Sequence, residues 1–80
     1  MRLDYTERFR SYETAPARIQ RAFQKQARFL ARNLRHPSLR AKKFREGQNI
    51  WQARVDGGWR FYFRIEGDAY FMLDIIPHPK

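Results

Sequence analysis

The chain has 80 residues and 42% hydrophobic content, including 7 Phe, 4 Tyr and 2 Trp. That composition marks one small globular domain over 1–80 and excludes a disordered chain. With 17 Lys and Arg against 8 Asp and Glu, the net charge is +9, so a polyanion or an acidic protein is the expected partner. The absence of cysteine excludes a disulfide framework and a cysteine-bound zinc, and no window approaches the roughly 18 apolar residues of a membrane span.

The chain opens with Met1-Arg2-Leu3-Asp4-Tyr5. No apolar stretch follows, so a cytoplasmic protein without a signal peptide is expected. Leu3 and Tyr5 alternate with Arg2 and Asp4, which predicts a short first strand. Thr6 is placed to cap a short helix through Tyr12, with Glu7 in its first turn. Thr14 is a second N-cap candidate, followed by Ala15 and by Pro16 in the first turn. This longer helix is expected over 15–34, ended by Pro37, which disfavours helix at His36.

At about 100° per residue, Ile19, Phe23, Leu30 and Leu34 fall on one arc of that helix. Arg18, Arg21, Lys25, Arg28, Arg32 and Arg35 centre on the opposite arc. The apolar arc must dock on another element. Two readings fit the cationic arc: a solvated face, or a surface for a polyanion or acidic partner. The basic character continues through Arg40, Lys42, Lys43 and Arg45, and no acid lies between Glu13 and Glu46. Outside this window the charges nearly balance, so the basicity belongs to one segment.

Residues 36–48 read as a loop, and three strands follow. Trp51, Ala53 and Val55 alternate with Ile50, Gln52 and Arg54. Trp59, Phe61, Phe63 and Ile65 alternate with Arg60, Tyr62 and Arg64, and Ala69, Phe71, Leu73 and Ile75 with Tyr70, Met72 and Asp74. Asp56-Gly57-Gly58 and Glu66-Gly67-Asp68 read as three-residue hairpin turns. Val55 then faces Trp59, and Ile65 faces Ala69. That register keeps one sheet face apolar, and a one-residue slip would carry arginines into it. The expected architecture is α+β: a short strand, two helices and a C-terminal antiparallel meander, with the long helix on the apolar face.

The same register sets Arg54, Arg60 and Asp74 in one row of the other face. Gln52, Tyr62 and Met72 form the next row, and Ile50, Arg64 and Tyr70 the third. Two arginines opposite one another repel, and Asp74 is the expected counter-charge. This face reads either as the wet side of an antiparallel sheet or as an anion site of guanidiniums and an aromatic.

With His36 and His78 as its histidines and no tight carboxylate cluster beside them, the chain offers no convincing metal site. No Gly-rich phosphate loop or nucleophile elbow is present. The pattern does suit metal-free and cofactor-free phosphodiester chemistry. In RNA the 2′-OH is its own nucleophile, so a protein has to supply fixed cations and a proton-transfer group. Arg54 and Arg60 are such cations, with Lys42 and Lys43 in the preceding loop. His78, held between Pro77 and Pro79, ends at the sheet edge that carries the 56–58 turn. It reads equally as an exposed tail residue.

Several strings carry a family resemblance. They are His36-Pro37-Ser38-Leu39-Arg40-Ala41-Lys42-Lys43, Ile50-Trp51-Gln52-Ala53-Arg54-Val55, Trp59-Arg60-Phe61-Tyr62-Phe63-Arg64-Ile65, and the tail Leu73-Asp74-Ile75-Ile76-Pro77-His78-Pro79-Lys80. In these, and in element order over nearly the whole chain, the sequence resembles the RelE/ParE superfamily of bacterial toxins from toxin–antitoxin modules. The resemblance implies a microbial-ribonuclease-like fold, cleavage of mRNA in the ribosomal A site, and a cognate antitoxin covering the basic surface. Arg60 matches the family's transition-state arginine, Arg54 a cationic position on the preceding strand, and His78 a C-terminal histidine or tyrosine position. Lys42 and Lys43 stand where members place a catalytic acid or base or phosphate-binding cations. Here that stretch lacks the carboxylate or second histidine of several active members, and His36 lies upstream of it. Arg18, Arg21, Lys25, Arg28, Arg32, Arg35, Arg40 and Arg45 then form the surface for ribosomal RNA or for an acidic antitoxin segment. The ParE branch implies a different activity, inhibition of DNA gyrase without nuclease residues. An inactive relative that only binds RNA or protein is the third reading.

Overall fold

The computed structural model describes residues 1–7 and 9–78. A five-stranded sheet is covered on one face by a long helix. The elements are β1 (Arg2–Tyr5), α1 (Ser11–Thr14), α2 (Ala17–Arg32), β2 (Lys42–Arg45), β3 (Ile50–Asp56), β4 (Trp59–Glu66) and β5 (Ala69–Pro77). Single 3-10 turns at Pro37–Leu39 and Glu46–Gln48 flank β2. The sheet order is β1-β5-β4-β3-β2, with β1 parallel to β5 and every other pair antiparallel. This is the α+β architecture that the sequence predicts, with one strand more. Among the described residues no helix is long and apolar enough to cross a membrane.

α2 forms for the reason its wheel suggests. Ile19, Phe23, Ala27 and Leu30 are buried against Ala53, Val55, Phe61, Phe63, Met72 and Ile75 of the sheet. Phe23 meets Phe61 edge-on at 5.2 Å between ring centroids, a favoured aromatic geometry. Burying a side chain of this size contributes about 1.5–3 kcal/mol, so this seam is what holds helix to sheet. The helix starts two residues later than expected. Pro16, not Thr14, is the N-cap, its carbonyl accepting from both Ile19 and Gln20 N–H. The Thr14 hydroxyl donates to Ser11 O instead. The helix also ends at Arg32, leaving half-buried Leu34 outside it.

The first helix differs as well. The Thr6 hydroxyl donates to Met72 O at 3.0 Å, which ties the chain to β5 where β1 ends. Helix then occupies only Ser11–Thr14, and Arg8, inside the expected span, lies outside the described residues.

The segment read as a loop contains β2, which pairs Lys42 with Gln52, Lys43 with Trp51 and Arg45 with Ile50. All four of its residues are exposed. An edge strand without a buried face has no apolar alternation to betray it, and its lysines suit an edge.

Both hairpin turns are tighter than expected. Asp56 pairs with Trp59 and Glu66 with Ala69, leaving two-residue loops at Gly57-Gly58 and Gly67-Asp68. Gly67 takes φ +58 there, a conformation glycine adopts without steric cost. In β3 a bulge at Val55 restores the expected pairing, and Arg54 faces Arg60. In β5 the register is shifted by one from the turn, and a bulge between Met72 and Asp74 shifts it again. Tyr70 and Met72, expected on the outer face, therefore enter the core, and Ile75 returns to it. Asp74 lies opposite Tyr62, while Ile76 lies opposite Arg60. The expected Arg54–Arg60–Asp74 row is thus an Arg54–Arg60–Ile76 row.

Candidate functional site

Strand alternation leaves one face of the sheet free of α2. Across it run two rows: Lys42, Gln52, Tyr62 and Asp74 in one, Arg54, Arg60 and Ile76 in the next. Arg54 and Arg60 are directly opposed and both half-buried. Arg60 Nη1 donates to Asp56 O at 2.9 Å and to Trp59 O at 3.0 Å, which draws its guanidinium back over the hairpin turn. The Arg54 guanidinium lies over the same turn: a Cβ built on Gly57 would sit 3.5 Å from Arg54 Nη2.

The carboxylates nearby are committed elsewhere. Asp74 Oδ1 accepts from Ser11 Oγ at 2.6 Å and from Ile75 N–H at 3.0 Å. Asp56 accepts from Arg18 at 3.2 Å and from Gly58 N–H at 2.8 Å. Among the described residues neither Arg54 nor Arg60 has an ion-pair partner. Two like charges on directly opposed strand residues repel, the more strongly the less water screens them. An anion bound between them would remove that penalty, so the pair is biased towards a phosphate.

The tail reaches the same turn. His78 N–H donates to Gly58 O at 2.8 Å, continuing the β5 pairing past Pro77, and His78 is exposed. Pro79, the second of the flanking prolines, lies outside the described residues. The 56–58 turn thus gathers Arg54, Arg60 and the His78 backbone, as the sequence predicts.

The two lysines part company. Successive strand residues face opposite ways, so Lys42 shares the outer face with Gln52 while Lys43 turns to the Trp51 side. Lys43 Nζ sits 5.2 Å from the Trp51 ring and donates to Asn49 Oδ1 at 3.0 Å. Lys43 therefore departs from the expected cluster, and Lys42 stays with it. Arg45 also belongs to the outer face, in the row of Ile50 and Arg64, and not to the helix stripe.

Tyr62 was not among the expected site residues, although its place between Arg60 and Arg64 in the alternation marks it. It lies in the row between Gln52 and Asp74, with Phe44 edge-on at 5.0 Å. Burial pushes the Tyr62 phenol above its ordinary value; Arg60 works against this shift and Asp74 with it. At neutral pH it is an O–H donor, not a base. Gln52, 8% exposed, carries the row inward from Lys42.

The helix stripe is a separate surface. Arg18, Arg21, Lys25, Arg28 and Arg32 are all exposed on α2, and Arg35 and Arg40 are exposed beyond its end. Of these, Arg18 is engaged with Asp56. The molecule measures 31 × 27 × 24 Å, and the Debye length at physiological salt is about 8 Å. Through the Arg18–Asp56 ion pair the near end of the stripe meets the 56–58 turn. A cavity of about 640 Å³ lined by Tyr5, Phe9, Tyr12 and Phe23 and another of about 860 Å³ lined by Asn49, Ile50 and Arg64 include neither Arg54 nor Arg60.

No protein-family model and no curated protein matches the sequence. Solved structures do. A YoeB/ParE toxin from Agrobacterium tumefaciens superposes with a TM-score of 0.81 at 19% identity, over 99% of this chain and 100% of that one. The RelBE2 toxin–antitoxin complex from Mycobacterium tuberculosis gives 0.79 at 21% identity, over 99% and 92%. YafQ from E. coli gives 0.79 at 14% identity, over 98% and 94%. The chain has the RelE/ParE toxin fold over essentially its full length.

Proposed function

We propose that this protein is the toxin of a type II toxin–antitoxin pair and that it cleaves mRNA on the ribosome. The observation that carries the reading is the opposed Arg54–Arg60 pair, without an ion-pair partner among the described residues and set at the turn that receives the His78 tail. The fold shared with RelE/ParE toxins supports the class.

In this mechanism the 2′-OH of the RNA attacks the adjacent phosphorus. The O2′–P bond forms, the P–O5′ bond breaks, and a cyclic phosphate and a 5′-hydroxyl result. Arg54 and Arg60 carry the charge that builds on the phosphorane oxygens, a contribution of the oxyanion-hole kind. Lys42 and the Tyr62 hydroxyl donate to neighbouring phosphate oxygens from the next row. The His78 imidazolium protonates the departing O5′. The proton of the 2′-OH passes to water or to a ribosomal group. The exposed stripe from Arg21 to Arg35, with Arg40, holds the protein against ribosomal RNA. In the cytoplasm of a resting cell, an acidic antitoxin segment that orders on contact covers the basic surface.

Primer extension on translated transcripts after induction tests the reading. Discrete cleavage within codons is expected, with growth restored by Arg60→Ala and by His78→Ala. Intact transcripts with arrested growth would refute it. The nearby carboxylates Asp56 and Asp74 are taken up by Arg18 and Ser11, which leaves them poor general bases and favours one competing activity, inhibition of DNA gyrase. That activity would show as an SOS response that survives both substitutions.

A further inference from the structure

Buried polar side chains on a helix that docks through apolar residues need a reason, because each must find partners inside the protein. Gln26 is such a case. It sits in the apolar arc of α2 between Phe23 and Leu30 and is 3% exposed. Its Nε2 donates to Arg54 O at 2.8 Å and to Ser38 O at 3.0 Å, and its Oε1 accepts from Ser38 Oγ at 3.1 Å. Both amide donors are therefore used, along with one acceptor site.

The sheet explains why this place needs a bridge. β2 pairs with β3 only as far as Gln52, so the half of β3 from Ala53 to Asp56 has no strand on that side. The bulge after Arg54 loosens it further. The 3-10 turn Pro37–Leu39 lies there instead, and its Ser38 N–H donates to His36 Nδ1 at 3.2 Å. The His36 ring in turn stacks on Phe29 of α2 at 3.9 Å. Two separate pieces of the candidate site meet at one amide. One is the segment leading from Ser38 to Lys42; the other is the Arg54–Arg60 hairpin.

We infer that Gln26 is a positioning residue: it fixes Arg54 against the Ser38–Lys42 segment, and so fixes the spacing of the cations that would hold the phosphate. The inference rests on the proposed phosphate role of Arg54 and Lys42, and one readout below is independent of it. Gln26 touches no substrate. It acts through the Arg54 carbonyl, and displacing catalytic groups by about 1 Å can cost on the order of 10²-fold in rate. A leucine would fill the space and make none of the three bonds.

The test compares Gln26→Leu with wild type, using Gln26→Met if the leucine variant is insoluble. Ser38→Ala, which spares both Nε2 donations, and Ile19→Val, a core change away from the amide, are the controls. The first readout is amide hydrogen exchange. Residues 40–43 and 54–56 should exchange about 10-fold faster in the Gln26 variant, while Phe63 and Met72 in the sheet centre stay unchanged. Uniform acceleration, or none, overturns the inference. The second readout is cleavage of ribosome-bound mRNA well below every unfolding midpoint. Gln26→Leu should lower kcat about 10-fold or more with KM within about 3-fold, while both controls stay near wild type. Localised exchange with an unchanged kcat also overturns it. Localised exchange in a protein whose wild type cleaves nothing upholds the clamp and refutes the nuclease reading alone.

Discussion

Removing Arg60 tests the chemistry against the packing most sharply. Arg60→Ala deletes one of the two guanidiniums that face the phosphorane, and losing one such preorganised donor costs about 10²–10³ in rate, roughly 2.7–4 kcal/mol. The effect on stability should be far smaller, because two terms oppose. Arg60 Nη1 makes hydrogen bonds to Asp56 O and Trp59 O, together contributing about 1–3 kcal/mol. Against them stands the like-charge repulsion from Arg54 on the opposed strand, which the substitution relieves. The net loss is therefore below about 3 kcal/mol, and the variant is expected to stay folded at assay temperature. Arg60→Lys should fall between, since an ammonium keeps the charge but not the fork that spans two acceptors. The assay is single-turnover cleavage of mRNA in programmed ribosomes beside thermal unfolding of each variant. Arg54→Ala combined with Arg60→Ala should cost less than the product of the single losses if both serve one phosphate. Cleavage by Arg60→Ala within threefold of wild type refutes the assignment. So does a rate loss that merely tracks the unfolding midpoint.

Three further outcomes follow from the same geometry. Gly67→Ala should destabilise by about 1–2 kcal/mol through its left-handed φ alone, since a Cβ there meets nothing within 4 Å; Gly47→Ala, equally uncrowded and without a positive φ, should be neutral or slightly stabilising, and chemical denaturation distinguishes them. Burial raises the Tyr5, Tyr62 and Tyr70 phenols above the ordinary 10.0; the folded state then holds protons the unfolded chain releases, so stability is intact below about pH 10 and falls above it, and a fall no shallower in Tyr62→Phe would contradict the shift assigned to Tyr62. Replacing Arg21, Arg28 and Arg32 by Gln should reduce the salt dependence of ribosomal RNA binding by about 2–3 in log–log slope; an unchanged slope would mean that the α2 stripe is only solvated.

Much of this molecule is legible in one dimension because its periods are strong. The 3.6-residue spacing of Ile19, Phe23 and Leu30 and the two-residue alternation of Trp59 to Ile65 set α2, β4 and the helix-on-sheet contact, and burial confirms them. The Arg54–Arg60 opposition was legible too, since a one-residue slip would have carried arginine into the core. What stayed hidden lacked a local period. β2 is exposed along its whole length, so only hydrogen bonding to β3 defines it. The two-residue turn at Gly67-Asp68 brings Tyr70 and Met72 into the core in place of Phe71 and Leu73, the bulge near Leu73 then returns Ile75, and apolar residues at 70–73 leave the alternation ambiguous. Together the turn and the bulge move Asp74 off the arginines, which have no ion-pair partner among the described residues. Gln26 was readable as a lone amide in an apolar arc, but its partners Ser38 and Arg54 were not. The sequence by itself determined which side chains are apolar, which are cationic, and which strands carry them. Only the tertiary structure decided which carboxylates stay away from Arg54 and Arg60, because bulges, edge pairing and hydrogen bonds between distant residues obey no short period along the chain.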